Sequence, residues 1–309
     1  MCKLVVSIVR NRVTTFYVPL RTWFSSPQIA TDGTMFYMKT LTLIVAACLI
    51  FGTFVTTNAH DYWIAPQNYQ PQVGQSVAIK LFVGDHFSEE KERPLQQRMT
   101  VDFLLHSETG PPKNLIVDER FTKMPVAQFV VSKPGTHIIS MQRDWAQIEM
   151  TGEKFHQYLE HEGLHHIIAQ RKKAGEADKP GTERYRRYLK SLIVVDGKRT
   201  SLWSKPLGHK LEIIPLSDPT VAKPNDTVQF RVLLDNKALA NVQLAALGRQ
   251  GDKITDIHTM TGKNGVASLK LPHTGEWLVR MVYLRRCEQK DVKADWESFW
   301  TGLTFWAGS

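Results

Sequence analysis

The side chains with the most chemistry to offer are histidines. The chain has 309 residues and 11 histidines, all of them at or after His60. His60 is the sharpest candidate, because an export signal is expected to end just before it. Cleavage after Ala59 makes it the first residue, with a free amine and a ring Nδ1 that together chelate a borderline ion such as Cu²⁺ or Ni²⁺. Cleavage after Asn58 leaves it second, where amine, backbone amide and imidazole still bind, and Asp61 could add an oxygen. One or two further imidazoles would complete the site. The partners placed beside His60 are His86, in the loop Gly84-Asp85-His86-Phe87 after a strand, and His137, at a strand start. The bland alternative is that Tyr62 and Trp63 dock this segment in the core.

A second candidate is His161-Glu162-Gly163-Leu164-His165. On one continuous helix its two rings would share a face around zinc, with Glu162 as the base of a hydrolase. Gly163 is a poor residue for a helix interior. Plain zinc or nickel coordination by His161 and His165 is a weaker claim on the same residues, and a solvated histidine-rich face the blandest. A third candidate is Asp295, Trp296 and Glu297, aromatic and acidic together, which could line a ligand cleft. The competing reading has these aromatics filling a sheet interior with the carboxylates outside. Cys287 sits beside Arg285 and Arg286, an isolated thiol. No phosphate-cradling loop, nucleophile elbow or paired-cysteine motif occurs.

These residues need elements to hold them. Short β-rich runs at Val77–Val83, Thr100–Leu105, Ala127–Val131 and Thr136–Met141, separated by turn signals, predict an all-β sandwich. Lys154–Gln170 has helical spacing of apolar residues, with Gly163 as a weak point or break. Thr182 could cap a second helix in ERYRRYLKSLIVV. Strands resume at Leu211–Pro215, Thr227–Leu233, Val242–Leu247, Gly265–Leu271, Gly275–Tyr283 and Gly302–Trp306. The fold class expected is mainly β: two sandwich domains, immunoglobulin-like or transthyretin-like, with a helical insert in the first. The first is expected over residues 60–205 with the insert at about 154–195, the second over 206–309.

Upstream, Met38 to Ala59 reads as a cleavable signal peptide, with Lys39, an apolar run from Leu41 to Val55, and small residues Thr57 and Ala59 before the cut. A membrane anchor would need a longer apolar core, and a lipobox at Val45-Ala46-Ala47-Cys48 is followed by more apolar residues. Residues 1–37 read as an upstream extension, which a second start at Met35 or Met38 would explain. The chain carries net charge +9; removing residues 1–59 takes away five Lys/Arg and one Asp and leaves 34 basic and 29 acidic residues, net +5. That balance does not point to nucleic acid. Of Cys2, Cys48 and Cys287, one remains after cleavage, so the mature part has no intrachain disulfide and depends on its core.

Five separated phrases, AHDYWIAP, FHQYLEHEGL, KPGTERYRRYLKSLIVV, PLGHKLEIIPLSDP and ADWESFWTGLTF, resemble the NikM-like periplasmic family. It is a domain of unknown function often labelled a periplasmic component of cobalt or nickel uptake. The resemblance runs from Ala59 to Phe305 and implies two β-rich domains, export and a transition-metal role. The function expected is therefore a non-enzymatic periplasmic protein that binds Ni²⁺ or Co²⁺, with Cu²⁺ or Zn²⁺ as alternatives, and assists a membrane metal transporter. The mature form is not expected to span the membrane. The alternatives are an immunoglobulin-like binding or adhesion module without metal, and the zinc hydrolase.

Overall fold

The computed structural model describes residues 61–308 apart from Glu90, together with two short strands near the start. Residues Met1–Thr56 and Thr57–Ser309 form two separate units. In the first, β1 (Ile8–Val9) and β2 (Arg12–Val13) pair antiparallel. The expected signal peptide, the upstream extension and His60 lie outside the described residues.

The second unit opens with β3 (Asp61–Pro66), β4 (Ser76–Gly84), β5 (Lys91–Glu92), β6 (Thr100–His106) and β7 (Lys113–Asn114). Next come β8 (Ala127–Val130), β9 (Gly135–Arg143) and β10 (Ala146–Met150). Two helices follow, α1 (Gly152–His161) and α2 (His165–Lys173), and then β11 (Gly181–Val195). The chain continues through β12 (Leu211–Pro215), β13 (Thr227–Leu234), β14 (Lys237–Ala238), β15 (Gln243–Gln250) and β16 (Lys253–Met260). It closes with β17 (Val266–Lys270), β18 (Gly275–Arg286) and β19 (Trp296–Ala307). The protein is mainly β, and its layers are packed sheets.

One nine-stranded sheet organises the unit. Its order is β16-β15-β18-β19-β11-β9-β6-β7, with β10 also paired to β11. The neighbours run antiparallel except β11 and β19, which are parallel, with Glu183 opposite Trp296 and Ser191 opposite Thr304. The expected division at 205/206 falls inside this arrangement. Strands from both sides of it share the sheet, because β19 lies between β18 and β11 and hydrogen-bonds to both.

The sheet is covered on both faces. On the face we call the back, Tyr188, Leu192, Val279, Phe299 and Phe305 pack against Ile213, Phe230 and Leu269 of a four-stranded sheet, β12-β13-β14 with β17. On the front, Leu189, Ile193, Ile139 and Phe103 pack against Ile64, Ile79, Leu81 and Phe129 of a second small sheet, β3-β4-β5 with β8. The helices complete the front by laying Phe155, Leu159 and Ile167 over Trp296, Trp300 and Val282. Burying a large apolar side chain contributes about 1.5–3 kcal/mol, so a sheet covered twice draws on two cores.

Double coverage explains the main misreading. The run Glu183–Val195, expected as a helix capped by Thr182 and entering the next element at Leu192–Val195, lies instead within the strand β11. Tyr188 and Leu192 serve the back core and Leu189 and Ile193 the front core. A strand buried on both faces reads as a continuous apolar run rather than an alternating one. The helical insert is therefore α1 and α2 alone, ending at Lys173. Thr151, not Thr182, caps a helix, its side chain accepting from the Lys154 amide.

Candidate functional site

Pairing of the first front strands brings distant histidines together. Asp61 opens β3 and lies opposite Gly84, the last residue of β4. The turn that follows carries His86 and Phe87, both with left-handed φ, +49° and +59°. Such angles are costly for residues with a Cβ, and the turn is held by what Phe87 does. Its ring is fully buried, 5.2 Å from that of Trp63, and Arg249 both covers the ring and donates to the Phe87 carbonyl. With Phe87 inward, His86 stands at the surface.

There the His86 ring meets the His161 ring edge to face, with centroids 5.5 Å apart. Asp256, on β16, lies 3.8 Å from His86 Nδ1 through Oδ2 and 2.8 Å from His258 Nε2 through Oδ1. All three rings are accessible, with side-chain exposures of 62% for His86, 49% for His161 and 41% for His258, so an ion from solvent can reach them. Beneath them is a buried clamp. Arg280 reaches Asp61 Oδ1 at 2.8 Å through Nε and donates from Nη1 to Glu162 Oε2 at 2.6 Å. Burial pushes the Asp61 carboxyl up to about 7 against the pull of Arg280, with Glu162 and Asp85 pushing the same way. Burial opposes the Arg280 charge, but Glu162 and Asp61 outweigh it and hold the guanidinium firmly protonated. The clamp fixes the start of β3 to the end of α1, which is how Asp61 and His161 come to share a neighbourhood.

The remaining candidates are placed differently. The His161–His165 motif is not on one helix: His161 ends α1 and His165 begins α2. Gly163 between them has φ +66°, and a Cβ there would lie 2.5 Å from the Gln243 side chain. The shared helical face that a zinc hydrolase needs is therefore lost, and Glu162 turns inward to Arg280. His137 is buried with both ring nitrogens engaged, Nδ1 with Ser107 Oγ at 2.9 Å and Nε2 with the Lys133 carbonyl at 3.0 Å. Burial lowers its pKa, so it stays neutral as a structural hydrogen-bonding residue. Asp295 accepts from the amide and hydroxyl of Thr182. Trp296 is fully buried under α1 and Glu297 is ion-paired on the back face, so the three line no common cleft.

Among the described residues, no group of three or more His, Cys, Asp or Glu side chains is arranged to hold a metal ion. His86 and His161 supply two imidazoles, a donor type suited to nickel, cobalt, copper or zinc.

Sequence reasoning missed a cavity of about 490 Å³ on the front face. Tyr62, Arg143, Glu183, Arg187 and Trp300 lie on its wall. A signal was present: read at a period of two, Glu183, Tyr185 and Arg187 fall on one side of β11. The helical reading of that run hid it.

No curated protein matches the chain. Among solved structures it is similar to FdeC, an Escherichia coli adhesin, at 14% identity and a TM-score of 0.20, covering 82% of this chain and 66% of that one. It is also similar to a Corynebacterium diphtheriae protein described as membrane anchored, at 12% identity and a TM-score of 0.19, covering 81% and 60%. The chain thus spans less than two thirds of the length of either. The family model described as "Domain of unknown function (DUF4198)" matches residues 57–285, and this chain belongs to that family.

Proposed function

We propose that the protein is an exported, periplasmic, non-enzymatic binder of a transition metal, nickel or cobalt, that supplies a membrane uptake system. The observation that supports this most is the contact between the His86 and His161 rings beside the start of β3. Asp61, the chain neighbour of His60, lies in that same neighbourhood through the Arg280 clamp. Cleavage after Ala59 would free the His60 amine, and amine, His60 ring, His86 and His161 would make a nitrogen-rich set that suits Ni²⁺, Co²⁺ or Cu²⁺. Ligands must be deprotonated, so the affinity would fall as the imidazoles protonate. The resemblance to the NikM-like family points the same way, and so does the leader at residues 38–59. No helix among the described residues is long and apolar enough to cross a membrane.

The test is to express the chain through the export pathway of a bacterium, sequence the N-terminus of the product, and titrate Ni²⁺, Co²⁺, Cu²⁺ and Zn²⁺ by calorimetry. One ion per chain is expected. His60→Ala should weaken it at least about a hundredfold, and His86→Ala or His161→Ala about tenfold or more, as loss of a ligand does. Binding indifferent to all three substitutions would sink the proposal.

A further inference from the structure

We propose that the front-face cavity is a second binding site, for a small organic carboxylate that carries an apolar body and one hydrogen-bond donor. The cavity lies between the small front sheet and the face of the large sheet formed by β9, β10, β11 and β19. Its volume of about 490 Å³ falls within the usual range for small-molecule sites.

One part of its wall is cationic. Arg143, Arg187, Arg93 and Lys91 line it, and no carboxylate among the described residues forms an ion pair with any of them. Arg143 is only 5% exposed, and its Nη2 donates to Gln96 Oε1 at 2.5 Å while Nη1 has no hydrogen-bond partner. Arg187 leaves Nε without a partner as well, its guanidinium held between the rings of Tyr62, at 4.9 Å, and Tyr185, at 4.5 Å. A buried donor left unmade costs about 1–3 kcal/mol, more when charged. A wall that gathers four cationic side chains without an ion pair among the described residues favours an anionic ligand. Guanidinium groups are the preferred partners of a planar carboxylate.

The rest of the wall selects the body of that ligand. Val83, Met99, Ile148, Met150 and the Trp300 ring give it an apolar surface. Glu183 is 2% exposed; its Oε1 accepts from Ser298 and from Tyr158, and its Oε2 has no partner. That free oxygen calls for a hydroxyl or amine donor. The same carboxyl makes the cavity unfit for a dianion, and the apolar wall offers nothing to a free phosphate. With one carboxyl and no imidazole on its wall, the cavity is equally unfit for the metal proposed above, so the two sites are independent.

The experiment uses the full chain stripped of metal with a chelator and titrated with 4-hydroxybenzoate, benzoate and inorganic phosphate. We expect one 4-hydroxybenzoate per chain, benzoate bound more weakly for want of the donor, and no competition from phosphate. Arg143→Gln should weaken 4-hydroxybenzoate about tenfold or more. Ala146→Trp, at a half-buried position on the wall, should abolish binding by filling the space while the melting temperature holds. No binding of either carboxylate at about 10 mM, phosphate binding more tightly than both, or affinities unchanged in both variants would overturn the proposal.

Discussion

The cavity wall on the front of the large sheet and the ion pairs on its back bury the same kinds of charge and treat them in opposite ways. On the back, each buried charge has its counterpart. Lys190 donates to Glu212 Oε1 at 2.9 Å with both side chains almost wholly enclosed, and Glu212 also accepts the amides of Leu207 and Gly208 at 2.9 and 3.1 Å. Burial works against the Glu212 charge, but Lys190 and the Leu207 amide hold its carboxyl below the ordinary range. Glu297 is gripped from both sides by Arg184 and Arg285, each at 2.5 Å. On the front, Arg143 and Arg187 share a cavity wall with Glu183, yet Glu183 hydrogen-bonds to hydroxyls and no ion pair forms. Successive residues of β11 point to opposite faces, so Glu183 and Arg184 are chain neighbours with opposite fates. The two ion-paired groups on the back are closed on themselves and serve stability. The cavity wall on the front, unlike the Arg280 clamp on the same face, is left incomplete, and incomplete polar groups are where ligands bind.

The contrast can be broken most forcefully on the back. Glu212→Leu strands Lys190 without a partner and leaves two amides unbonded, and should cost about 3–5 kcal/mol in denaturant unfolding. A cost under about 1 kcal/mol would mean the pair is not closed as described.

Glu183→Gln tests the front. Burial is the largest influence on Glu183 and pushes its carboxyl up to about 7, with the Ser298 hydrogen bond and the Arg187 charge opposing. The folded protein therefore keeps a proton that the unfolded chain has already lost, and native stability falls as pH rises from about 4.5 to about 7. Above pH 7 the wild type carries the whole penalty, of order 3 kcal/mol. The glutamine variant should show a flatter profile across that window and greater stability above it, measured by urea unfolding at a series of pH values. Coincident profiles would place Glu183 among ordinary paired carboxylates.

The smallest effect is expected at Arg143. Because Nη1 is unpaired, Arg143→Gln should change unfolding stability by no more than about 1 kcal/mol, even though it removes a nearly buried charge. A loss as large as that of Glu212→Leu would mean that Arg143 is structural and would erase the difference between the faces.

Most strands could be read from local pattern. Val77–Val83, Thr100–Leu105 and Thr136–Met141 lie within β4, β6 and β9, because turns and β-branched residues mark such strands locally. The pairing of β11 with β19 could not be read: Glu183 and Trp296 carry no local mark of lying opposite each other. The signs of chemistry at His86 and His161 were legible, but their contact was not, since it depends on the pairing of Asp61 with Gly84 and on the Arg280 clamp. The break at Gly163 was half legible: the residue type warned of it, and the Gln243 side chain explains why a glycine is needed. Nothing local marks the cavity, whose wall draws on residues from Tyr62 to Trp300.

The position of β19 has a consequence for how the molecule comes into being. It is the last strand in the chain, yet it lies in the middle of the sheet, between β18 and β11. It follows its partners in sequence, and without it β11 and β18 would each present an unpaired edge. Contacts this distant in sequence form slowly, because the long loop must be closed before any bond repays the cost. The sheet is thus closed by β19, which joins the strands on its β18 side to those on its β11 side.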